Sequence, residues 1–315
     1  MRRQVRRTVR GYGVAGHATS VAANAWAAFD NVERTVLFIG SVLCGLVCLG
    51  VGSLLGVPRE PQFSGSLLVS NSVVAAIVVV VVAVAICVAL GAVVATLVEA
   101  EAGLFCCCMG LAALGVRCGP IRPVLQYAQG RGVLLAMSFE TALLGILLAG
   151  IWLLSRWLFD RNQTAESKLA LIAPNEDTEA TLPQKLGTLG VQVIGMALCE
   201  QILIQTDYQA QAMAGVVLSG FAGSLVAYMF RPLSEGIYYW MGPTVMGVIG
   251  YLLAYFTVDG LAIGDLHGWA GPLARATPLI YISMGTAGAL VGYWCSRRWA
   301  QPEEDGEQPA VAVNS

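Results

Sequence analysis

Apolar positions in this chain fall into long uninterrupted runs, with neither the alternation of a half-buried strand nor the one-sided stripe of a surface helix. Eight such runs occupy residues 36–57, 70–98, 102–116, 133–155, 187–206, 210–230, 241–258 and 277–296. A helix of ~20 apolar residues spans the ~30 Å hydrocarbon core of a bilayer. Within hydrocarbon every backbone N–H and C=O must be paired internally, which leaves helices or a closed barrel, and barrel strands alternate in and out. The pattern therefore predicts an all-α, polytopic transmembrane bundle of about eight spans. Seven is the alternative count.

The third run decides between them. The second run, at about 29 residues, would extend ~43 Å and must tilt or project, whereas the third, at about 15 residues, reaches only ~22 Å. The third run could be a short span, a re-entrant segment or a surface helix. Loop charge arbitrates, because Lys and Arg accumulate on the cytoplasmic side. With eight spans the basic N-terminus shares its side with Arg34, Arg156, Arg161, Lys168, Lys185, Arg231, Arg297 and Arg298, and only Arg59, Arg117, Arg122, Arg131 and Arg275 lie opposite. Seven spans would scatter the same charges almost evenly. Eight spans put both termini in the cytoplasm and set Trp152, Trp157, Tyr238, Tyr239, Trp240, Trp294 and Trp299 at the cytoplasmic interface, a depth that suits amphipathic rings.

Composition agrees with a lipid environment. Hydrophobic residues make up 57% of the chain and charged residues 12%, about half the ~25% charged fraction of a soluble domain. A formal net charge of -2 excludes bulk nucleic-acid binding, which depends on dense Lys and Arg. Of nine cysteines, Cys44, Cys48, Cys87, Cys199 and Cys295 lie inside apolar runs, where they act as small hydrophobes. Cys106, Cys107 and Cys108 are consecutive and so point around a helix instead of converging on one ion. With no C-x-x-C spacing, neither a metal site nor a cofactor is expected.

Outside the runs, residues 1–34 form a basic cytoplasmic segment in which Val21, Ala22, Ala25, Trp26 and Phe29 have helical spacing, predicting an interfacial helix. Residues 35–299 form the transmembrane domain, interrupted by a cytoplasmic loop at about 156–186. Residues 300–315, with Glu303, Glu304 and Asp305, form a disordered acidic tail.

The residues most suggestive of chemistry are Glu140 and Glu200, carboxyls inside apolar runs. Burying a charge there costs about 2.5–3.5 kcal/mol on insertion scales, so each needs a partner, a proton or water. Both are displaced toward the outer end of their runs and could share one polar pocket that holds a proton or cation. The alternative is that each fixes helix packing through Ser138, Thr141, Gln192 or Gln201. Asp207, Asp259, Asp265 and His267 fall on the same outer face as polar candidates, although glycines between them leave any ligand geometry undefined. Two histidines and no G-x-S-x-G or H-E-x-x-H give little support for catalysis.

Small residues recur four apart at Gly52 and Gly56, Ser219 and Gly223, and Gly288 and Gly292, a spacing that lets helices approach closely or self-associate. Pro232, Pro243, Pro272 and Pro278 flank the runs, giving no sign of broken helices. The leading expectation is an accessory or structural component of the plasma (inner) membrane, partnered by lipid and by another membrane protein or its own copy. The alternative is a small-solute or proton-coupled transporter using Glu140 and Glu200.

Overall fold

The computed structural model describes residues 31–54, 73–117, 119–121, 124, 131–162, 180–206, 208–233, 235–257 and 271–300. The expected interfacial helix, most of the central loop and the acidic tail lie outside them. Among the described residues there is no strand. The helices are α1 (Asn31–Leu54), α2 (Val73–Leu97), α3 (Ala100–Arg117), α4 (Gly132–Asn162), α5 (Leu182–Leu203), α6 (Gln209–Phe230), α7 (Ile237–Trp240), α8 (Gly242–Thr257), α9 (Pro278–Ile280) and α10 (Thr286–Ala300). α7 and α8 together form one span, Ile237–Thr257, and α9 and α10 belong to the last span, Pro278–Ala300.

Seven spans are long and apolar enough to cross a membrane, and α3 is a shorter eighth apolar helix. The structure explains its shortness. An ion pair of 3.6 Å joins Glu99, just before α3, to Arg297 at the end of the last span. At the other end of α3, Gly115 packs near Ile280 and Ser283 at the start of that span. Gln209 Nε2, in the first turn of α6, donates to the carbonyls of Gly115 and Val116 at 2.8 and 3.1 Å. α3 thus runs antiparallel to the last span from one end of the bundle to the other. Leu104, Cys106, Cys107, Cys108, Leu111 and Leu114 are all buried, because α1, α2, α4 and the last span surround the helix. A helix enclosed by protein needs no full lipid-matched apolar length.

Successive elements traverse the bundle in alternate directions. α1 meets α2 through Gly40 and Val94 at one end and through Cys48 and Cys87 farther along. α4 meets α8 through Ser138 and Val248, and through Gly145 and Thr244. Arg34, Arg156, Arg161, Lys185, Arg231, Arg297 and Arg298 consequently collect at one end, the basic end, with Arg131 and Arg275 at the other.

Without a hydrophobic drive in lipid, packing rests on close backbone approach and interhelical hydrogen bonds. α2 and α3 touch at Gly91 and Gly103, where a Cβ on Gly103 would press on the Gly91 carbonyl. Gly288 and Gly292 lie against the carbonyls of Val217 and Phe221 on α6. Gly223 packs against Gln192 and Met196 of α5, so the second and third small-residue pairs are occupied within the chain. Gly56 lies outside the described residues, as does everything beyond the backbone at Gly52. Large apolar side chains such as Phe38, Leu46, Ile146, Leu198, Ile202 and Phe230 are exposed instead, an outer surface fit for acyl chains.

Trp152, Tyr239, Trp240 and Trp294 lie at the basic end but are buried in the bundle instead of facing lipid, where Trp152 packs on Trp240 with centroids 5.8 Å apart, Phe105 on Trp294 at 5.5 Å, and Tyr239 stacks on Tyr293 at 5.0 Å. Trp157 and Trp299 remain exposed. The spans are also less regular than the proline positions suggest: α7 and α8 are separated by a turn at Met241, and residues Tyr281–Gly285 of the last span form a π-helical turn.

Candidate functional site

α5 starts earlier than its apolar run because local chemistry starts it. The Thr181 amide donates to the Gln184 side chain at 3.0 Å, and Pro183 sits in the first turn, a combination that favours helix initiation. The helix then buries Thr188, Gln192, Met196 and Glu200, spaced by four. It ends at Leu203, so Glu200 lies about one turn from the end remote from the basic cluster. That is ~11 Å from the helix centre at ~1.5 Å per residue, deeper into one side than the apolar run alone indicates.

Glu200 is wholly buried, and its two oxygens meet hydroxyls from two other helices. Ser219 Oγ on α6 lies 3.1 Å from Oε1, and Tyr281 Oη on the last span lies 2.8 Å from Oε2. No basic side chain among the described residues pairs with it. Tyr281 Oη is also 2.7 Å from the Leu273 carbonyl, and Ser219 Oγ is 3.0 Å from the Val216 carbonyl. Each hydroxyl carries one proton, so each faces two acceptors with a single hydrogen to give.

Tyr281 opens the π-helical turn, a feature frequent at functional sites. Its ring and Thr141 both approach Gly247 on α8; a Cβ there would stand 3.0 Å from each. Tyr251, one turn farther along α8, packs edge-on against Tyr281 at 6.0 Å and donates to the Ala276 carbonyl.

Glu140 is buried on α4, next to Thr141. Both Glu140 and Glu200 lie within electrostatic reach of the Tyr251 phenol. Of the side chains expected to serve as partners, Ser138 donates to the Val248 carbonyl, Thr141 to the Met137 carbonyl, and Gln192 to the Tyr239 carbonyl. Ser219, Tyr251 and Tyr281 were not foreseen as site residues. The available signal was modest: Tyr251 stands in the middle of an apolar run, not at its edge, and Ser219 belongs to a small-residue pair.

Arg275 marks the near end of the site, donating through Nη1 to the Ile204 carbonyl at 3.0 Å. Asp207, Asp259, Asp265 and His267 lie outside the described residues. Among the described residues no three metal-ligating side chains are placed to hold an ion. Toward the basic end lies an aromatic layer, with Tyr239 and Trp240 wholly buried and the Tyr239 hydroxyl bridging the Arg231 carbonyl and the Leu233 amide at 2.8 and 2.7 Å.

No protein-family description, curated protein or solved structure matches the chain. Its fold and burial pattern make it a helical integral membrane protein with a carboxyl–hydroxyl cluster buried between α4, α5, α6, α8 and the last span.

Proposed function

We propose that this protein is a proton-coupled carrier in which Glu200 takes up and releases the proton. The supporting observation is the hydrogen count at Tyr281. With a neutral Glu200, the carboxyl donates to Tyr281 Oη and Tyr281 donates to the Leu273 carbonyl, so both contacts of the Tyr281 oxygen carry one hydrogen. With an ionised Glu200, the Tyr281 hydrogen must turn to the carboxylate, and the Leu273 carbonyl loses it. One proton therefore resets a hydroxyl that belongs to the irregular turn of the last span. An ionisable residue inside a membrane bundle is by default a candidate for such a role.

Under this reading the basic end faces the cytoplasm of a plasma (inner) membrane by the positive-inside rule. The aromatic layer closes that side, and protons reach Glu200 from the opposite one. Glu140, sharing Tyr251, tunes the same cluster.

A second reading, an accessory or structural membrane component, draws on the way Glu200 ties three helices together with both oxygens satisfied. A protein partner would then dock on the lipid-facing side chains, since α6 already occupies the Gly288 and Gly292 stripe. Proton flux into liposomes carrying the purified protein separates the two. The carrier reading predicts flux in the native chain and its loss in a folded Glu200→Gln variant. Absence of flux from both, across a range of candidate small solutes, would leave the structural reading.

A further inference from the structure

We propose that Cys48 and Cys87 are a redox pair that a membrane-dissolved hydroperoxide converts to a disulfide, stapling α1 to α2. This inference is independent of the carrier reading, since the thiols lie in the α1–α2–α3 part of the bundle.

Their sulfurs are 3.1 Å apart on two antiparallel helices, about 1 Å from the ~2.05 Å of a bonded pair. Both residues are buried free thiols. Cys44, one turn before Cys48, faces the same spot, its Cβ 3.4 Å from where a Cβ on Gly110 would stand, so three cysteines converge where α1 and α2 meet. Across from them stands Gly110 of α3, and a Cβ at that position would run into the Cys87 sulfur and come within 3.1 Å of the Cys48 sulfur. The glycine leaves the sulfurs room that any side chain would take. Cys107 Sγ donates to the Cys87 carbonyl at 3.1 Å, holding the backbone of Cys87 against α3. Two thiols that hydrogen-bond only weakly lose little on becoming a disulfide in an apolar setting.

The chemistry balances with a hydroperoxide as the two-electron oxidant. The Cys48 sulfur attacks one peroxide oxygen, the O–O bond breaks, and the alkoxide takes the thiol proton and leaves as alcohol. The resulting sulfenic acid is resolved by Cys87: the S–S bond forms, the S–O bond breaks, and the departing oxygen takes the Cys87 proton to leave as water. Two thiols are oxidised and one hydroperoxide is reduced to alcohol and water. The low polarity that retards thiolate formation restricts the reaction to small or lipid-soluble oxidants.

The test uses the full chain in micelles treated with tert-butyl hydroperoxide, then denatured, alkylated without reductant, digested and mapped by mass spectrometry. Cys199, half-exposed on α5, gauges how far oxidant has acted. The expected result is a linked pair of peptides carrying Cys48 and Cys87, two hydrogens lighter than their sum, lost on reduction and retained in a Cys44→Ser variant. Recovery of Cys48 and Cys87 as separate alkylated peptides while Cys199 is oxidised would overturn the proposal. So would a linkage of Cys87 to Cys44 in place of Cys48. Because the native chain carries the decisive readout, a poorly folded Cys87→Ser variant would not blunt the test.

Discussion

Replacing Tyr281 by Phe keeps the ring against Gly247 and Tyr251 and removes one oxygen. That oxygen is within 2.8 Å of Glu200 Oε2 and 2.7 Å of the Leu273 carbonyl, so the substitution strips a partner from two buried groups. A buried polar group left unsatisfied costs about 1–3 kcal/mol, while interhelical hydrogen bonds in membrane proteins average nearer ~0.6 kcal/mol because the unfolded chain also finds partners. Two affected groups, one a carboxyl, place the expected loss at about 1–2 kcal/mol. Reversible unfolding in mixed micelles, followed by tryptophan fluorescence, measures it. Combining Tyr281→Phe with Glu200→Gln in a double-mutant cycle should give coupling, since both changes act on one contact. Loss of less than ~0.3 kcal/mol with full additivity would show that Tyr281 and Glu200 do not share a proton chain.

Gly288→Ala would drive a methyl group into the Val217 carbonyl of α6, backbone that cannot step aside cheaply; about 1–3 kcal/mol of destabilisation is expected in the same unfolding assay, and a neutral result would contradict the close α6–α10 contact. Glu99 lies between α2 and α3, where burial raises its carboxyl above the ordinary range and Arg297 opposes the shift. A carboxyl raised in the folded state contributes stability that is present below its unfolded pKa and lost as pH rises through the folded value. Thermal stability should therefore fall as pH climbs out of the carboxylate range, and Glu99→Gln should flatten that slope; an unchanged slope would refute the assignment. The oxidised Cys48–Cys87 form should unfold at higher denaturant than the reduced form, because the link closes a long loop in the unfolded chain.

Much of the architecture was legible because hydrocarbon leaves a chain few options: each of the eight apolar runs has its helical counterpart, with ends moved by a few residues. The shifts have local causes, such as the Thr181–Gln184 start that carries α5 into polar sequence. α3 was ambiguous because hydropathy registers lipid exposure, and a helix enclosed by others need not be strongly apolar. The carboxyls stood out at once, being costly in such surroundings. Their partners did not, because a hydroxyl on Tyr281 becomes meaningful only when α5, α6 and a π-helical turn meet, and no period in the sequence announces that turn. The burial of the aromatics at the basic end was hidden for a related reason: the preference of Trp and Tyr for an interface says nothing about whether a neighbouring helix covers them.

The most direct test of the account is infrared difference spectroscopy of the reconstituted protein across a pH titration, comparing the native chain with Glu200→Gln. The account predicts a protonated-carboxyl band that is shifted by Tyr281→Phe, disappears as the pH is raised, and is missing from the Glu200→Gln variant. A native spectrum with no such band at any pH, or a band unchanged by Glu200→Gln, would contradict it.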